Sequence, residues 1–319
     1  MKILITGGAG FIGSETARQL VKNGHEVTVL DSLTYAGQFE NIHDIQEQID
    51  FIKIDICDVQ NLGDFFLENT LDAVINFAAE THVDTSISDP RVFIESNTVG
   101  AFNILEECRK YNFRLLHVST DEVYGSINNG TFSENSRFSP SSPYSASKAS
   151  AEMFINAYLH TYKLDIVGVR CSNNYGPYQN SEKLIPTLIQ KALRNEKLPI
   201  YGTGANIREW IHVADSSRAI IEVLLKGSTG NFYNVSSGEF KENLEVAKLV
   251  LDYFSMDYSQ ISFIGDRLGH DFRYAIDSSK IKKEIGWEAR IRFEDGLKET
   301  IEWYVSNLGS KAALQEGNS

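Results

Sequence analysis

Cysteine is scarce in this chain of 319 residues, which contains three: Cys57, Cys108 and Cys171. They are scattered, odd in number and never arranged as C-x-x-C, so they do not indicate a disulfide framework or a redox pair. Because disulfides are rare in reducing compartments, we expect reduced and mostly packed thiols in a cytoplasmic protein.

Long apolar runs and histidines at metal-ligand spacing are also lacking. No apolar stretch approaches the roughly 18 residues that a membrane-spanning helix requires, so we expect no membrane partner. The seven histidines show no H-x-x-x-H or comparable spacing, and we expect no metal site. Met1 leads directly into a short strand pattern and a glycine cluster, which predicts that no signal peptide is present.

Basic residues are outnumbered, with 30 Lys and Arg against 43 Asp and Glu and a net charge of -13. This balance argues against nucleic acid or an anionic membrane surface as a partner. It does not exclude an anionic small ligand, because local arginines and helix N-termini can bind anions within an acidic protein. The hydrophobic fraction of 42% and the length predict a large core or two lobes.

Glycines cluster near the N-terminus in a pattern typical of dinucleotide binding. Gly7, Gly10 and Gly13 follow an apolar strand pattern over residues 2–6, and a second strand pattern ends at Asp31. The helix that follows the glycines would direct its N-terminus at a pyrophosphate, and the acid would bind the ribose and repel a 2′-phosphate. An ordinary glycine turn with a surface aspartate is the alternative, but strand, helix and acid together favour an NAD site.

Strand and helix patterns alternate as far as residue 170 and predict an α/β fold with a doubly wound parallel Rossmann sheet. The strand patterns cover 2–6, 25–30, 51–54, 72–77, 114–119 and 164–170, and the helix patterns 14–23, 58–69, 90–111 and 144–162. The pattern then loosens into helices at 182–195, 213–226 and 242–254, short strands at 199–201 and 232–235, and two short helices near Ser278 and Phe293. We predict an NAD-binding domain over 1–172 and a smaller, mainly substrate-binding lobe over 173–319, with some chain returning to the first domain. The cleft between them would be the site.

Tyr144 and Lys148 are four residues apart, so on a helix they share one face. An ammonium beside a phenol is expected to lower the tyrosine pKa from about 10 toward neutrality. Such a tyrosine can remove a proton from an alcohol while a hydride leaves for the nicotinamide. The alternative is a tyrosine and a lysine that merely cover a helix face.

Thr120, Asp121 and Glu122 end a predicted parallel strand, where ligands bind in such sheets. The hydroxyl group can hydrogen-bond the reacting alcohol, but plain alcohol oxidation needs no second acid–base pair. Crowded carboxylates raise the pKa of one member, so one can donate a proton while the other removes one. This pair indicates elimination of water, with a solvated Asp-Glu turn as the alternative.

Thr120-Asp121-Glu122-Val123-Tyr124-Gly125 resembles the signature of the nucleotide-sugar 4,6-dehydratases, in the extended short-chain dehydrogenase/reductase family. Related epimerases and decarboxylases typically lack the Asp-Glu pair. The resemblance runs from Met1 to about Tyr304, and its other matching stretches are 33–37, 77–80, 170–178, 182–186, 208–210, 266–267 and 269–271.

The resemblance implies that Tyr144 and Thr120 act on the sugar 4-hydroxyl, that Glu122 removes the C5 proton and that Asp121 protonates the departing 6-hydroxyl. With Lys148, these five are the predicted catalytic residues. Predicted NAD contacts are Gly7, Gly10, Phe11, Ile12, Gly13, Asp31, Leu33, Thr34, Asp55, Ile56, Ala78, Ala79, Ser96, Tyr144, Lys148 and Asn174, of which Ala78 and Ala79 are proposed because small residues after a strand admit a ligand. Predicted nucleotide-sugar contacts are Thr81, Thr120, Asn173, Lys183, Leu184, Pro199, Tyr201, Arg208, Asn243, Arg267 and His270. His82 and Trp210 are assigned structural roles.

The predicted substrate is a nucleoside-diphosphate-glucose, with thymidine favoured as the base. The chain ends earlier than typical members and lacks an aromatic residue that can face the nucleobase, so a UDP-sugar stays open. A 4-epimerase or decarboxylase is a second alternative, and a catalytically silent NAD-binding module is a third. By analogy with the family, we expect a homodimer formed through the helices near 90–111 and 144–162.

Overall fold

The computed structural model describes the backbone of residues 1–316 and the side chains of residues 1–307. Within this part of the chain, twelve strands form one large and two small sheets. In chain order the strands are β1 (Lys2–Thr6), β2 (Glu26–Asp31), β3 (Ile49–Lys53), β4 (Ala73–Asn76), β5 (Arg114–Thr120), β6 (Ile166–Cys171), β7 (Asn173–Tyr175), β8 (Leu198–Tyr201), β9 (Ile207–His212), β10 (Phe232–Val235), β11 (Phe240–Glu242) and β12 (Ile261–Ile264).

Eleven α-helices accompany the strands in the described residues. They are α1 (Phe11–Lys22), α2 (Val59–Glu68), α3 (Val83–Ser88), α4 (Arg91–Phe93), α5 (Ala101–Tyr111), α6 (Pro143–Tyr162), α7 (Leu184–Leu193), α8 (Val213–Lys226), α9 (Asn243–Tyr253), α10 (Ser279–Ile285) and α11 (Phe293–Glu316). A π-helical segment, Ile94–Gly100, joins α4 to α5, and 3₁₀ helices cover Phe39–Gln48, Asp121–Tyr124 and Tyr258–Gln260. No helix in the described residues is long and apolar enough to cross a membrane.

The large sheet is parallel throughout and has the strand order β10-β6-β5-β4-β1-β2-β3. The direction of strand succession reverses between β1 and β4. A crevice therefore opens at the carboxyl ends of these two strands, where ligands bind in doubly wound sheets. The predicted fold class is confirmed.

Apolar side chains cover both faces of this sheet because successive residues of a strand point to opposite sides. On β1, Ile3 and Ile5 face a core shared with α1 and α8, whereas Leu4 faces a core shared with α2, α5 and α6. Helices therefore bury the sheet on both faces, as the continuous apolar strand patterns predict.

The smaller unit has its own core. Its helices α7, α9 and α11 pack around Leu188, Val250 and Trp210, which are at most 5% exposed. Strands β11, β9 and β7 form one small sheet, and β12 and β8 form another. After leaving the large sheet at β6, the chain returns to it through α8, which packs on its core, and β10, which becomes its edge strand.

Local predictions are accurate where periodicity is strong. The bounds of β1, α8 and β10 are those predicted, and β5 differs by one residue. Three predictions are wrong: α11 is 24 residues long rather than short, the helix predicted over 90–111 contains a π-helical segment, and the polar loop after Cys171 forms β7. Leu297 and Ile301 lie on one face of α11 and are buried in the core of the smaller unit, which stabilises this helix. The sequence also predicts that the last ten residues fray, and part of that stretch, 317–319, lies outside the described residues.

Candidate active site

A cavity of about 810 Å³ lies at the carboxyl ends of the large-sheet strands and extends under the smaller unit. All the predicted catalytic, cofactor and substrate residues except Leu33 line this cavity. Leu33 has a φ of +53°, and its side chain packs on the core beside β2 instead. The structure therefore gathers residues that are widely separated in sequence into one site.

Gly7 is required where the cavity begins. Its φ is +68°, and a Cβ at this position would lie 2.6 Å from the backbone nitrogen of Ala78. A Cβ at Gly13 would lie 2.4 Å from the carbonyl oxygen of Gly7. Because glycine has no Cβ, the turn after β1 can lie directly against the residues that follow β4 and against the start of α1. The backbone N–H groups at the N-terminus of α1 then face the crevice.

Asp31 ends β2 with its carboxylate buried at 6% exposure. One oxygen accepts a hydrogen bond from the Ala9 amide at 2.9 Å, and the other accepts one from the Leu33 amide at 2.8 Å. Burial raises the pKa of Asp31, and these two hydrogen bonds oppose that shift. Each carboxylate oxygen can accept a second hydrogen bond, so the group can still bind two hydroxyl groups of a ribose.

Helix α6 supplies the phenol and the ammonium. It begins with a capping box in which the Ser142 side chain accepts from the Ser145 amide, with Pro143 at the first turn. One turn apart on its buried face, Tyr144 and Lys148 are 9% and 4% exposed. The Lys148 ammonium donates a 2.7 Å hydrogen bond to the Val118 carbonyl oxygen, which fixes α6 against the end of β5.

The predicted direction of the Tyr144 pKa shift is wrong for this arrangement. Burial, followed by the negative charge of Glu122, raises the Tyr144 pKa, while a hydrogen bond with Thr120 opposes the rise. Burial also lowers the pKa of Lys148 to about 8, and the carboxylate of Glu152 partly opposes this. Desolvation therefore outweighs the favourable charge pairing that sequence spacing suggests.

Asp121 and Glu122 occupy the 3₁₀ turn that follows β5. Thr120 Oγ1 donates to Oδ1 of Asp121 at 3.2 Å and accepts from the Glu122 amide at 3.2 Å. Oδ2 of Asp121 is buried with no hydrogen-bond partner among the described residues. Burial first, and then the charges of Glu122 and Glu209, raise the pKa of Asp121 well above its usual range.

Glu122 is in a different electrostatic environment. Burial raises its pKa, and the positive charges of Arg208, Arg267 and Lys183 limit the rise. The pair is therefore asymmetric, with a proton favoured on Asp121 and the negative charge favoured on Glu122. An acid and a base of this kind can remove one proton and deliver another within a single site.

Three cations converge on the side of the cavity that belongs to the smaller unit. Lys183 donates to the Thr81 carbonyl oxygen at 2.8 Å. Arg208 donates to the Asp271 carbonyl oxygen at 3.0 Å, and its guanidinium stacks 4.4 Å from the ring centre of Tyr274. Arg267 Nε is 3.6 Å from Asp84. Cations gathered in this way can bind a diphosphate.

Several cavity residues escaped the sequence prediction. Tyr274, 4% exposed, donates to Asp271 at 2.8 Å, and its place four residues after His270 was the one available signal. Glu80 also lines the cavity, as do His82 and Trp210, which were assigned structural roles. Trp210 belongs to the small core as well, so its assignment is partly accounted for.

A glycine cradle with a buried acid, beside a hydroxyl, a phenol and an ammonium, defines an extended short-chain dehydrogenase/reductase. The chain belongs to the GDP-mannose 4,6 dehydratase family, whose model matches residues 4–300. It is 45% identical to the dTDP-glucose 4,6-dehydratase of Salmonella typhimurium, across 96% of this chain and 93% of the relative.

Two solved structures show how specific this likeness is. DesIV, a dTDP-glucose 4,6-dehydratase from Streptomyces venezuelae with NAD and TYD bound, superposes with a TM-score of 0.94. It is 44% identical, with 97% of this chain and 98% of that chain covered. The UDP-glucose 4-epimerase of Thermotoga maritima has a TM-score of 0.91 but 29% identity, with 97% and 100% covered. The fold is shared by both, and sequence identity favours the dehydratases.

Proposed function

We propose that this protein is an enzyme that converts dTDP-glucose to its 4-keto-6-deoxy product, with NAD as a cofactor that is regenerated in each turnover. The observation that carries the proposal is the asymmetric Asp121–Glu122 pair in the same cavity as Tyr144 and Lys148. Oxidation alone would not need this pair, whereas loss of water requires a base and an acid.

The proposed cofactor fits the cavity. The space that Gly7 and Gly13 keep free, the N-terminus of α1 and the remaining acceptor capacity of Asp31 suit a pyrophosphate and a ribose without a 2′-phosphate. When bound, NAD supplies the oxidising and reducing capacity, accepting hydride from the sugar C4 and returning it to C6. The predicted NAD contacts that line the cavity, from Gly7 to Asn174, would hold it.

The protein's own groups would move the protons. Tyr144, with Thr120 beside it, would take the proton of the 4-hydroxyl group, and the positive charge of Lys148 would favour the phenolate. The resulting 4-ketone acidifies the C5 proton, which Glu122 would remove and would give back to C5 once hydride has returned to C6. Asp121, protonated by virtue of its raised pKa, would give its proton to the 6-hydroxyl as water leaves.

Lys183, Arg208 and Arg267 would bind the diphosphate, since guanidinium groups pair bidentately with phosphate oxygens. The remaining substrate contacts would come from Thr81, Asn173, Leu184, Pro199, Tyr201, Asn243 and His270, all of which line the cavity. In this assignment the large-sheet unit, predicted as 1–172, holds the cofactor and the smaller unit holds the nucleotide sugar.

The test is to incubate the protein separately with dTDP-glucose, UDP-glucose and UDP-N-acetylglucosamine. Loss of one water by mass spectrometry, with the absorbance of a 4-keto sugar in alkali, is expected with dTDP-glucose. If only a UDP-sugar gives this product, the substrate base is uridine and not thymidine. A product of unchanged mass that is an isomer of the substrate would identify an epimerase. NAD binding with no product from any substrate would revive the silent NAD-binding module.

We further propose a homodimer. Exposed apolar side chains line the outer faces of the 94–111 and 144–162 helices, and Phe102 packs on Phe154 and Tyr158 there. A four-helix seam would cover these faces. Light scattering is expected to give twice the 35.8 kDa mass of the chain, and a single-chain mass would refute the dimer.

We also propose a cytoplasmic location. Cys57, Cys108 and Cys171 are all free thiols, as expected in a reducing compartment. Fractionation of the source cells, with the protein recovered in the cytosolic fraction, would test this.

A further inference from the structure

Glu152 and Arg170 form a buried ion pair behind the catalytic residues. Their side chains are 2% and 7% exposed, and Arg170 binds the carboxylate through Nε at 3.0 Å and through Nη2 at 2.6 Å. Neither residue lines the catalytic cavity. Burying two charges costs desolvation free energy, so a buried ion pair is weak evidence that the pair stabilises the fold. The role of this pair is therefore inferred from its contacts.

The acidic member faces the catalytic helix and strand. Tyr144, Lys148 and Glu152 are spaced four residues apart on α6, so they lie on one helix face. Ser119, between the Val118 carbonyl that binds Lys148 and the catalytic Thr120, donates to Oε1 of Glu152 at 2.5 Å. The carboxylate thus joins α6 to the last residues of β5.

The basic member faces the acid–base turn. Arg170 lies beside Ser119 in the β5–β6 register, and its Nη1 donates at 2.6 Å to the hydroxyl oxygen of Tyr124. Tyr124 is the last residue of the 3₁₀ turn that carries Asp121 and Glu122, and its own hydroxyl donates to Asn234 on β10. The guanidinium also stacks over the rings of Tyr124 and Phe138, at 5.1 and 4.8 Å from their centres.

We propose that Glu152 and Arg170 are positioning residues for the reaction, holding the charge of Lys148 and the Asp121–Glu122 turn in register at the end of β5. This inference rests on the proposed function. Neither residue touches the substrate. Glu152 acts through Lys148 and Ser119, and Arg170 acts through Tyr124.

The charges around Lys148 support the direction of the effect. Burial lowers its pKa to about 8, while Glu152 opposes this most strongly and Cys171, on β6, opposes it less. His117 on β5 also faces Lys148, but burial lowers the His117 pKa well below its usual range, so it is neutral. Loss of Glu152 is therefore expected to lower the pKa of Lys148 further.

The test replaces the pair with apolar side chains of similar length, Glu152→Met/Arg170→Met, because such exchanges of buried pairs often preserve stability. The titration of Lys148 is followed by ¹³C NMR of protein labelled at lysine, with Lys148→Met to assign the resonance. We expect the midpoint to fall by about one pH unit, and the high-pH limb of kcat/KM to move with it. Asp215→Met/Arg218→Met, which removes a less buried ion pair from α8, is the control and should move neither.

An unchanged Lys148 midpoint in the folded Glu152→Met/Arg170→Met variant would overturn the proposal. The NMR measurement needs no turnover, so its result is independent of whether the wild-type protein forms the keto sugar. A second variant, Tyr124→Phe, removes the hydroxyl contact of Arg170 and keeps the ring. We expect it to slow elimination about tenfold relative to oxidation, and an unchanged ratio of the two steps would overturn the link to the turn.

Discussion

The hydroxyl group of Thr120 donates a hydrogen bond to Oδ1 of Asp121 at 3.2 Å, which leaves Oδ2 as the oxygen free to carry a proton into the cavity. The groups proposed for oxidation and for elimination are therefore neighbouring residues at the end of β5. If the proposed roles hold, the two steps can be separated by changing one side chain at a time.

Asp121→Asn keeps the shape of the side chain but removes the acid. We expect water loss to slow by about 10²–10⁴-fold, with oxidation of C4 much less affected, because only the departing hydroxyl needs this proton. Single-turnover absorbance of reduced cofactor, with mass spectrometry of the quenched sugar, measures both steps. Equal losses in the two steps would contradict the assignment, and Asp257→Asn on the surface serves as the control.

The same substitution is expected to stabilise the fold. The Asp121 pKa is raised in the native state, so its contribution to stability is present in acid and is lost as the pH rises through that pKa. Asparagine cannot ionise, and Asp121→Asn should raise Tm by about 2 °C or more near pH 8. The gain should shrink toward pH 4. Thermal unfolding from pH 4 to pH 8 tests the direction of the Tm change. A lower Tm for Asp121→Asn near pH 8 would contradict the prediction.

Replacing glycine by alanine should change the free energy of unfolding in opposite directions at Gly7 and at Gly63. Gly7→Ala places a Cβ 2.6 Å from the Ala78 nitrogen in a left-handed conformation, and we expect a loss of about 2–4 kcal/mol of unfolding free energy together with NAD binding. Gly63→Ala, within α2 and with nothing within 4 Å, should instead gain about 0.5–1 kcal/mol. Urea unfolding and NAD titration measure both variants. An unchanged NAD affinity in Gly7→Ala would refute the proposed role of Gly7 in the NAD site.

Arg267→Met should weaken substrate binding. A lost charge-assisted hydrogen bond costs about 1.5–3 kcal/mol, so KM for the nucleotide sugar is expected to rise about tenfold or more, with a smaller change in kcat. Arg292→Met provides a control because that side chain is 74% exposed. Steady-state kinetics at fixed ionic strength decide the outcome, and a KM that changes equally in both variants would remove Arg267 from the diphosphate site.

Sequence periodicity predicts the alternating sheet and the glycine turn, because strand ends and glycine turns are local features. Most of the other proposed site residues come from the family resemblance, and all of the proposed residues but one line the cavity. Leu33 differs because a left-handed backbone, invisible in the pattern, turns its side chain to the core. The direction of the Tyr144 pKa shift could not be predicted, because the burial that raises this pKa depends on what packs around α6. The Glu152–Arg170 pair joins residues 18 positions apart on a helix and a strand, a contact that appears only once the chain has folded.

The return of β10 to the edge of the large sheet has a consequence for how the chain is made. Until residues 232–235 have been synthesised, β6 has no neighbour on one side, and Tyr124 lacks its partner Asn234. The large-sheet unit therefore cannot complete its fold on the ribosome before residues 232–235, which follow the first elements of the smaller unit, have been translated. Translation order couples maturation of the two halves, although each has a core of its own.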